Sequence, residues 1–229
     1  MNYVLVHGSY HGPWCWDGVR SELERRGHTA VAVDMPISTP GVVTAGYAQA
    51  VIAAIEDVDA PIIVGHSMGG LVIPVVAQAR PVRKLVFLAA FLPQPGKSIA
   101  DQREAEPIDG PFVPATAEWT DMGSNVWMVG PNTATEIFYS DLTPDLAREA
   151  VKQLRPQCYD FMAEASPLVD WPKVESDVVV CRDDHAINPD WVRSAARERL
   201  GVEAHELPGG HSPFLGRPIE LVDLLEALA

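Results

Sequence analysis

The segment GHSMGG at residues 65–70 has the residue types and spacing that a nucleophilic serine requires. It contains G-x-S-x-G and lies between an apolar run at 61–64 and a helix-forming run at 71–79. A serine on so sharp a strand-to-helix turn has a strained backbone, and Gly65 and Gly69 remove side chains that would collide there. The N-terminus of the following helix adds free N–H groups and a positive field. The pattern predicts that the Ser67 hydroxyl attacks a carbonyl carbon.

A nucleophilic serine needs a base, and the base needs an acid that orients it. Of the seven histidines, His211 lies in a glycine-flanked loop after the last predicted strand, within PGGHSP at 208–213. The order Ser…Asp…His along the chain predicts the base at this place. The acid is expected just after the predicted strand at 177–181, where Asp183 and Asp184 are both candidates. Spacing alone does not separate these two carboxylates.

Acyl transfer also needs two N–H donors that bind the developing oxyanion. One is expected to be the backbone N–H of Met68, the residue after the nucleophile. The other is expected from the loop HGSYHG at 7–12, where small residues let the backbone approach a substrate, and we assign it to the Ser9 N–H. His7 and His11 in the same loop are predicted to brace it by hydrogen bonds.

These residues need a scaffold that brings the ends of several strands together. Predicted strands that are apolar on both faces alternate along the chain with predicted helices. This pattern indicates a parallel sheet that is covered by helices on both sides. Strands are predicted at 3–7, 29–34, 61–65, 84–90, 177–181 and 202–207, and helices at 14–26, 47–58, 71–79, 189–200 and 218–228. The predicted fold class is α/β, with a mostly parallel sheet of about six strands flanked by helices.

The strand–helix alternation stops between residues 91 and 172, where prolines and short mixed segments dominate and helices are predicted only near 133–139 and 144–154. A long irregular insert in such a sheet predicts a lid over the site. We therefore predict a core at 1–92 and 173–229 and a lid at 93–172. Candidate pocket residues are Gly8, Tyr10, Trp119, Trp127, Met128, Phe138, Tyr139, Phe161 and Phe214. Ordinary packing of lid against body explains the large apolar side chains equally well.

Net charge, apolar runs and cysteine count indicate which partners and which cellular location to expect. The net charge of −14 over 229 residues argues against nucleic acid and against anionic membrane surfaces. No apolar run reaches the roughly 20 residues of a membrane-spanning helix, and the first residues lack the basic start of a signal peptide. Cys15, Cys158 and Cys181 are widely spaced, which predicts a cytoplasmic, reducing location and neither disulfides nor a metal site. No cofactor is predicted, and the oligomeric state is open, a homodimer included.

Three features are shared with a known family: the loop VHGSYHGPWCW at 6–16, the segment at 65–70, and Asp184 followed five residues later by Pro189. With them the chain resembles the α/β-hydrolase superfamily, in the branch of plant methyl esterases, hydroxynitrile lyases and small bacterial esterases. The resemblance covers essentially the whole chain, and the H-G-x-x-H-G-x-W loop is fairly specific for the branch. It implies that Asp184 is the acid, that Ser9 and Met68 form the oxyanion hole, and that the sheet is shortened at its start.

Two positions depart from the hydroxynitrile lyases of that branch, which carry a threonine after the first loop histidine and a lysine directly after the base. This chain has Gly8 and Ser212 there. Without the lysine nothing obvious stabilises a cyanide leaving group, so the sequence favours hydrolysis of a small carboxylic ester through an acyl-enzyme. Thioester or lactone hydrolysis and non-catalytic ligand binding stay open as alternatives. A nicotinamide enzyme is disfavoured because G-x-G-x-x-G is absent.

Overall fold

A computed structural model describes residues 1–105 and 118–229. Its strands are β1 Asn2–Val6, β2 Thr29–Val33, β3 Ile62–His66, β4 Lys84–Leu88, β5 Trp119–Asp121, β6 Val126–Val129, β7 Gln157–Cys158, β8 Ser176–Cys181 and β9 His205–Leu207. Its α-helices are α1 Asp17–Arg25, α2 Thr44–Ala54, α3 Gly69–Ala79, α4 Ile99–Ala105, α5 Pro131–Phe138, α6 Pro144–Gln153, α7 Pro189–Ala195, α8 Pro213–Gly216 and α9 Pro218–Ala227.

Six of the strands form one sheet in the order β2-β1-β3-β4-β8-β9, and each neighbouring pair is parallel. In its middle, Val64 of β3 lies between Leu5 of β1 and Val86 of β4. Strands β3 and β4 are buried along their whole length. Continuous apolar strands are typical of a parallel sheet with both faces covered. The fold class predicted from the sequence is confirmed.

Two layers of helices cover the sheet because successive side chains of a strand point to opposite faces. Ile63 packs in a cluster with side chains of α2, α3 and α7 on one face. Ile62 and Val64 pack on the other face with side chains of α1 and α9. The nucleophile candidate Ser67 directly follows β3, a buried strand in the middle of this sheet.

The residues between β4 and β8 contain a second sheet, which is antiparallel and has the order β5-β6-β7. Helices α5 and α6 fall where the sequence predicted helices, whereas α4 and the three short strands had no prediction. A third apolar cluster packs Phe138 and Ala147 of this region against Tyr10 of the loop after β1. Residues 106–117 of the predicted lid lie outside the described residues.

Within 1–105 and 118–229, no helix is both long and apolar enough to cross a bilayer.

Candidate active site

Ser67 occupies the turn between β3 and α3 with a φ of 53°, which is a left-handed conformation that a residue with a side chain rarely adopts. A Cβ atom at Gly65 would lie 2.8 Å from the carbonyl oxygen of Gly69. One at Gly69 would lie 2.9 Å from the carbonyl oxygen of Val6. These distances explain the two glycines of the pattern, since no side chain fits at either position.

His211 and Asp184 meet at the carboxyl end of the sheet, on the loops that follow β9 and β8. The Asp184 Oδ2 lies 2.8 Å from His211 Nδ1, and both side chains are buried. The other carboxylate oxygen, Oδ1, accepts the backbone N–H groups of Ala186 and Ile187 at 2.7 and 3.0 Å. Because a carboxylate only accepts, His211 carries a proton on Nδ1, and in the neutral ring its Nε2 can take another.

Asp183, the competing acid, has a different environment. Its side chain is exposed, and its Oδ2 accepts the Gly209 N–H at 3.3 Å. The structure therefore joins Asp184 and not Asp183 to the imidazole of His211. Local spacing left both residues open, and the contact with His211 is made by Asp184, the residue that the family resemblance implied.

His66 connects the turn at Ser67 to the loop of His211. Its Nε2 donates to the His211 carbonyl oxygen at 2.8 Å, and the two rings lie 4.5 Å apart between centroids. Among the described residues no hydrogen bond joins the Ser67 hydroxyl to His211. Bonds between a catalytic serine and its base are often long or poorly aligned without substrate.

Ser9 and Met68, the predicted oxyanion donors, are in contact, since the Ser9 hydroxyl donates to the Met68 Sδ at 3.5 Å. The loop that carries Ser9 lies against the nucleophile, because a Cβ on Gly8 would lie only 2.7 Å from the Cβ of Ser67. In the part of the chain that the structure describes, neither the Ser9 N–H nor the Met68 N–H donates to another protein group. Both N–H groups are therefore candidates for binding an oxyanion.

The two histidines of the first loop brace it, as the sequence predicted. His7 Nδ1 lies 2.9 Å from the Gly8 carbonyl oxygen, and His11 Nδ1 lies 2.8 Å from the Ser9 carbonyl oxygen. Burial lowers the pKa of His7 to about 4 and that of His11 to about 3. Burial also holds the pKa of His66 well below its usual range. All three rings are therefore neutral near pH 7.

Three neutral buried histidines make the folded state sensitive to acid. Their pKa values are lower in the folded chain than the unfolded value of about 6.5, so below that pH the unfolded chain binds more protons. Stability is present above about pH 6.5 and is lost as the pH falls toward 4. We expect the three together to lower the free energy of unfolding by about 4 kcal/mol between pH 8 and pH 5.5.

Urea titrations at several pH values measure this loss. The slope of unfolding free energy against pH gives the number of protons taken up on unfolding. In the variant His7→Asn, which has one titrating ring fewer, this number should be smaller by about one below pH 6. A slope identical to that of the original chain would contradict the assignment of His7 as a neutral buried ring.

Aromatic side chains of the candidate pocket surround this centre. The Phe138 ring lies 5.8 Å from His211, and the Phe214 ring lies 4.8 Å from His66, measured between centroids. The Tyr10 ring contacts Phe138 at 6.0 Å and Trp119 at 5.6 Å. These contacts bring four of the candidate aromatic residues to the site or to its immediate neighbours.

The other candidates lie elsewhere or have another partner. Tyr139 is buried, and its hydroxyl lies 2.9 Å from His11 Nε2. Met128 packs at the edge of the third apolar cluster, and Phe161 belongs to the core cluster on the α2 and α3 face. Trp127 donates its Nε1 hydrogen to the Asn125 side chain at 3.2 Å. Among the described residues, no hydrogen bond or ring contact joins Met128, Phe161 or Trp127 to Ser67, Asp184 or His211.

Arg155 is a site neighbour that sequence reasoning missed. Its backbone N–H donates to the Tyr10 carbonyl oxygen and its Nε to the His11 carbonyl oxygen, each at 2.9 Å. Its guanidinium also lies 3.2 Å from His7 Nε2. Arg155 follows α6, far along the chain from the loop it holds, and no motif surrounds it.

Comparisons with known proteins identify the family of this chain. The family described as "Alpha/beta hydrolase family" matches residues 3–224 of the chain. Methylesterase 3 of Arabidopsis thaliana is 28% identical over 256 residues, covering 100% of this chain and 96% of the relative. Alpha-hydroxynitrile lyase of Arabidopsis thaliana is 28% identical over 250 residues, with the same shares of 100% and 96%.

A crystal structure of a polyneuridine aldehyde esterase mutant superposes with a TM-score of 0.84 at 18% identity, covering 100% of this chain and 98% of the other. This likeness concerns the fold. The names of the two sequence relatives belong to the branch that the sequence resembles, so the resemblance is confirmed.

Proposed function

Because the chain belongs to the alpha/beta hydrolase family, we propose that it is an esterase that cleaves a small carboxylic ester through an acyl-enzyme on Ser67. The observation that supports this most is the buried Asp184–His211 pair, joined at 2.8 Å beside the strained turn of Ser67. The esterase names of relatives that match the whole chain give independent support. Thioester and lactone hydrolysis use the same chemistry and are further substrates to test.

In the proposed mechanism Ser67 Oγ attacks the ester carbonyl carbon while His211 Nε2 takes the hydroxyl proton. Asp184 accepts the His211 Nδ1–H, which orients the ring and stabilises the imidazolium that forms. The N–H groups of Ser9 and Met68 hold the oxyanion of the tetrahedral intermediate. When the intermediate collapses, the ester C–O bond breaks and His211 gives its proton to the leaving alcohol.

The acyl-enzyme is then hydrolysed by the same groups. Water attacks the acyl carbon, and His211 takes one proton from that water. The second tetrahedral intermediate uses the same two N–H donors, and its collapse returns the proton to Ser67 and releases the carboxylic acid. The atoms and protons of both steps are thus supplied by the protein, water and the ester alone.

We further propose that residues 93–172 act as a lid and that aromatic side chains form the wall of the substrate pocket. Support comes from Phe138, which belongs to this segment and whose ring centroid lies 5.8 Å from that of His211. Tyr10 and Trp119 extend the same aromatic surface. Such a wall favours an apolar or aromatic group on the ester.

Cyanohydrin cleavage is the competing activity, since one relative is named a hydroxynitrile lyase. Two observations argue against it. A Cβ at Gly8 would lie 2.7 Å from the Cβ of Ser67, so the threonine that the resemblance leads one to expect in a lyase does not fit here without movement. At position 212, where the same resemblance leads one to expect lysine, this chain has Ser212, which is fully buried and uncharged.

The proposal is tested with p-nitrophenyl acetate, p-nitrophenyl butyrate and a panel of methyl esters, together with a fluorophosphonate probe. We expect ester turnover, covalent labelling at Ser67 located by peptide mass spectrometry, and protection from the probe by substrate. A chain that neither turns over any ester nor is labelled contradicts the proposal. Release of cyanide from mandelonitrile without ester hydrolysis would favour the lyase.

A further inference from the structure

We propose that His7 and His11 are positioning residues that fix the two peptide groups on either side of Ser9, so that the Ser9 N–H points at the oxyanion. This inference rests on the proposed function, because it takes the Ser9 N–H as an oxyanion donor. The mechanism above does not use the rings of His7 and His11, and this inference gives them a role in the reaction. That role depends on contacts with Tyr139 and Arg155.

His7 holds the peptide group to which the Ser9 N–H belongs. Its Nδ1 lies 2.9 Å from the Gly8 carbonyl oxygen, which is the other end of that same peptide group. A carbonyl oxygen only accepts, so the His7 proton lies on Nδ1. The opposite nitrogen, Nε2, accepts the Met35 N–H at 3.1 Å, which fixes this tautomer of the neutral ring.

This hydrogen bond has two consequences for the donor. It prevents the peptide plane from rotating, and so it fixes the direction of the Ser9 N–H. It also draws electron density toward the Gly8 oxygen, which makes the N–H at the other end of the amide a stronger donor. Both effects act when negative charge develops on the substrate oxygen, and neither requires His7 to touch the substrate.

His11 holds the next peptide group in the same way. Its Nδ1 lies 2.8 Å from the Ser9 carbonyl oxygen, so the proton lies on Nδ1 and the ring is neutral. The Tyr139 hydroxyl, 2.9 Å from His11 Nε2, must then be the donor of that bond. Between them, the two rings fix the peptide groups on both sides of Ser9.

The loop needs this support because its backbone is strained. Tyr10, the residue after Ser9, has a φ of 64°, a conformation in which a residue other than glycine is strained. Its carbonyl oxygen accepts the Arg155 N–H at 2.9 Å. The Arg155 guanidinium additionally lies 3.2 Å from His7 Nε2 and reinforces the tautomer that Met35 sets. Tyr139 and Arg155, both between β4 and β8, thus help to keep the loop in its working shape.

Two substitutions at His7 separate positioning from folding. The side-chain amide of His7→Asn can reach the place of Nδ1 and donate to the Gly8 oxygen, whereas His7→Leu fills the space without a donor. With p-nitrophenyl acetate we expect kcat to fall on the order of 100-fold in His7→Leu and about 10-fold or less in His7→Asn, because an oxyanion donor is misaligned rather than removed. KM should stay within about threefold, since the substrate carbonyl binds weakly to the hole before attack.

A trifluoromethyl ketone supplies a second readout, because it forms a tetrahedral adduct on Ser67 that carries an oxyanion. Its affinity should fall in parallel with kcat/KM across the His7 variants. Tyr139→Phe, which removes the donor to His11 and keeps the ring, should lower kcat about threefold to tenfold with the same parallel loss. Tyr47→Phe is the matched control, since it removes a buried hydroxyl that, among the described residues, accepts a hydrogen bond from Gln157 at 3.3 Å, and kcat should be unchanged.

The inference is overturned if His7→Leu folds, is less stable, and keeps both the kcat and the ketone affinity of the original chain. Should His7→Leu not fold, Tyr139→Phe carries the same test, with unchanged kcat and unchanged ketone affinity as the contrary result. Failure of the proposed function looks different. In that case the original chain itself would show no ester turnover and no label on Ser67.

Discussion

Replacing Ser67 by alanine is expected to lower kcat/KM for p-nitrophenyl acetate by about 10⁴-fold or more. The loss is large because the variant has no nucleophile, and without it His211 and Asp184 have no hydroxyl to activate. Some rate above that in water should persist, because the donors Ser9 and Met68 still bind the carbonyl oxygen. The variant should also lose all labelling by the fluorophosphonate probe.

The backbone at position 67 supplies a control that separates chemistry from folding. Alanine keeps the strain of the 53° φ angle, whereas glycine adopts this conformation freely. Ser67→Gly should therefore be as inactive as Ser67→Ala but more stable than it by about 1 kcal/mol in urea denaturation. A Ser67→Ala chain that keeps more than about a tenth of the original activity would remove Ser67 from the mechanism.

Replacing Asp184 by asparagine is expected to lower kcat roughly 10³-fold to 10⁴-fold with little change in KM. The amide oxygen can still accept the Ala186 and Ile187 N–H groups, so the turn is kept. The amide NH₂ group, however, would face His211 Nδ1 and favour the tautomer whose proton lies on Nε2. In that tautomer the ring cannot take the Ser67 proton.

Asp183→Asn is the matched control for this measurement, since it makes the same chemical change one residue earlier. Its carboxylate is exposed and contacts the Gly209 N–H rather than the imidazole, so kcat should stay within about twofold. Equal losses in the two variants would show that the loop after β8, and not the carboxylate on His211, sets the rate.

Sequence reasoning succeeded where local chemistry decides the structure. The turn at Ser67 could be predicted because only glycine avoids the close contacts at positions 65 and 69. The parallel sheet could be predicted because its strands are apolar on both faces. The bracing role of His7 and His11 was also predicted, and their bonds to the loop carbonyls confirm it.

Sequence reasoning was incomplete where distant residues decide. Asp183 and Asp184 have the same local pattern, so spacing left both open. The family resemblance implied Asp184, and the turn after β8 brings this residue to His211. Arg155 lies far along the chain from the loop it contacts. The small antiparallel sheet was missed because its strands have two to four residues, too few for a hydrophobic alternation to be recognised.

The neighbour of β4 in the sheet is β8, although residues 89–175 separate the two strands along the chain. During synthesis from the N-terminus, β1 to β4 can pair while the remainder is still unmade, which leaves β4 as an unpaired apolar edge. Closing so long a loop is slow compared with local pairing. A ribosome-bound chain therefore exposes Leu85 and Phe87 to other nascent chains until β8 docks, and truncated products that end before residue 176 should aggregate rather than accumulate as soluble fragments.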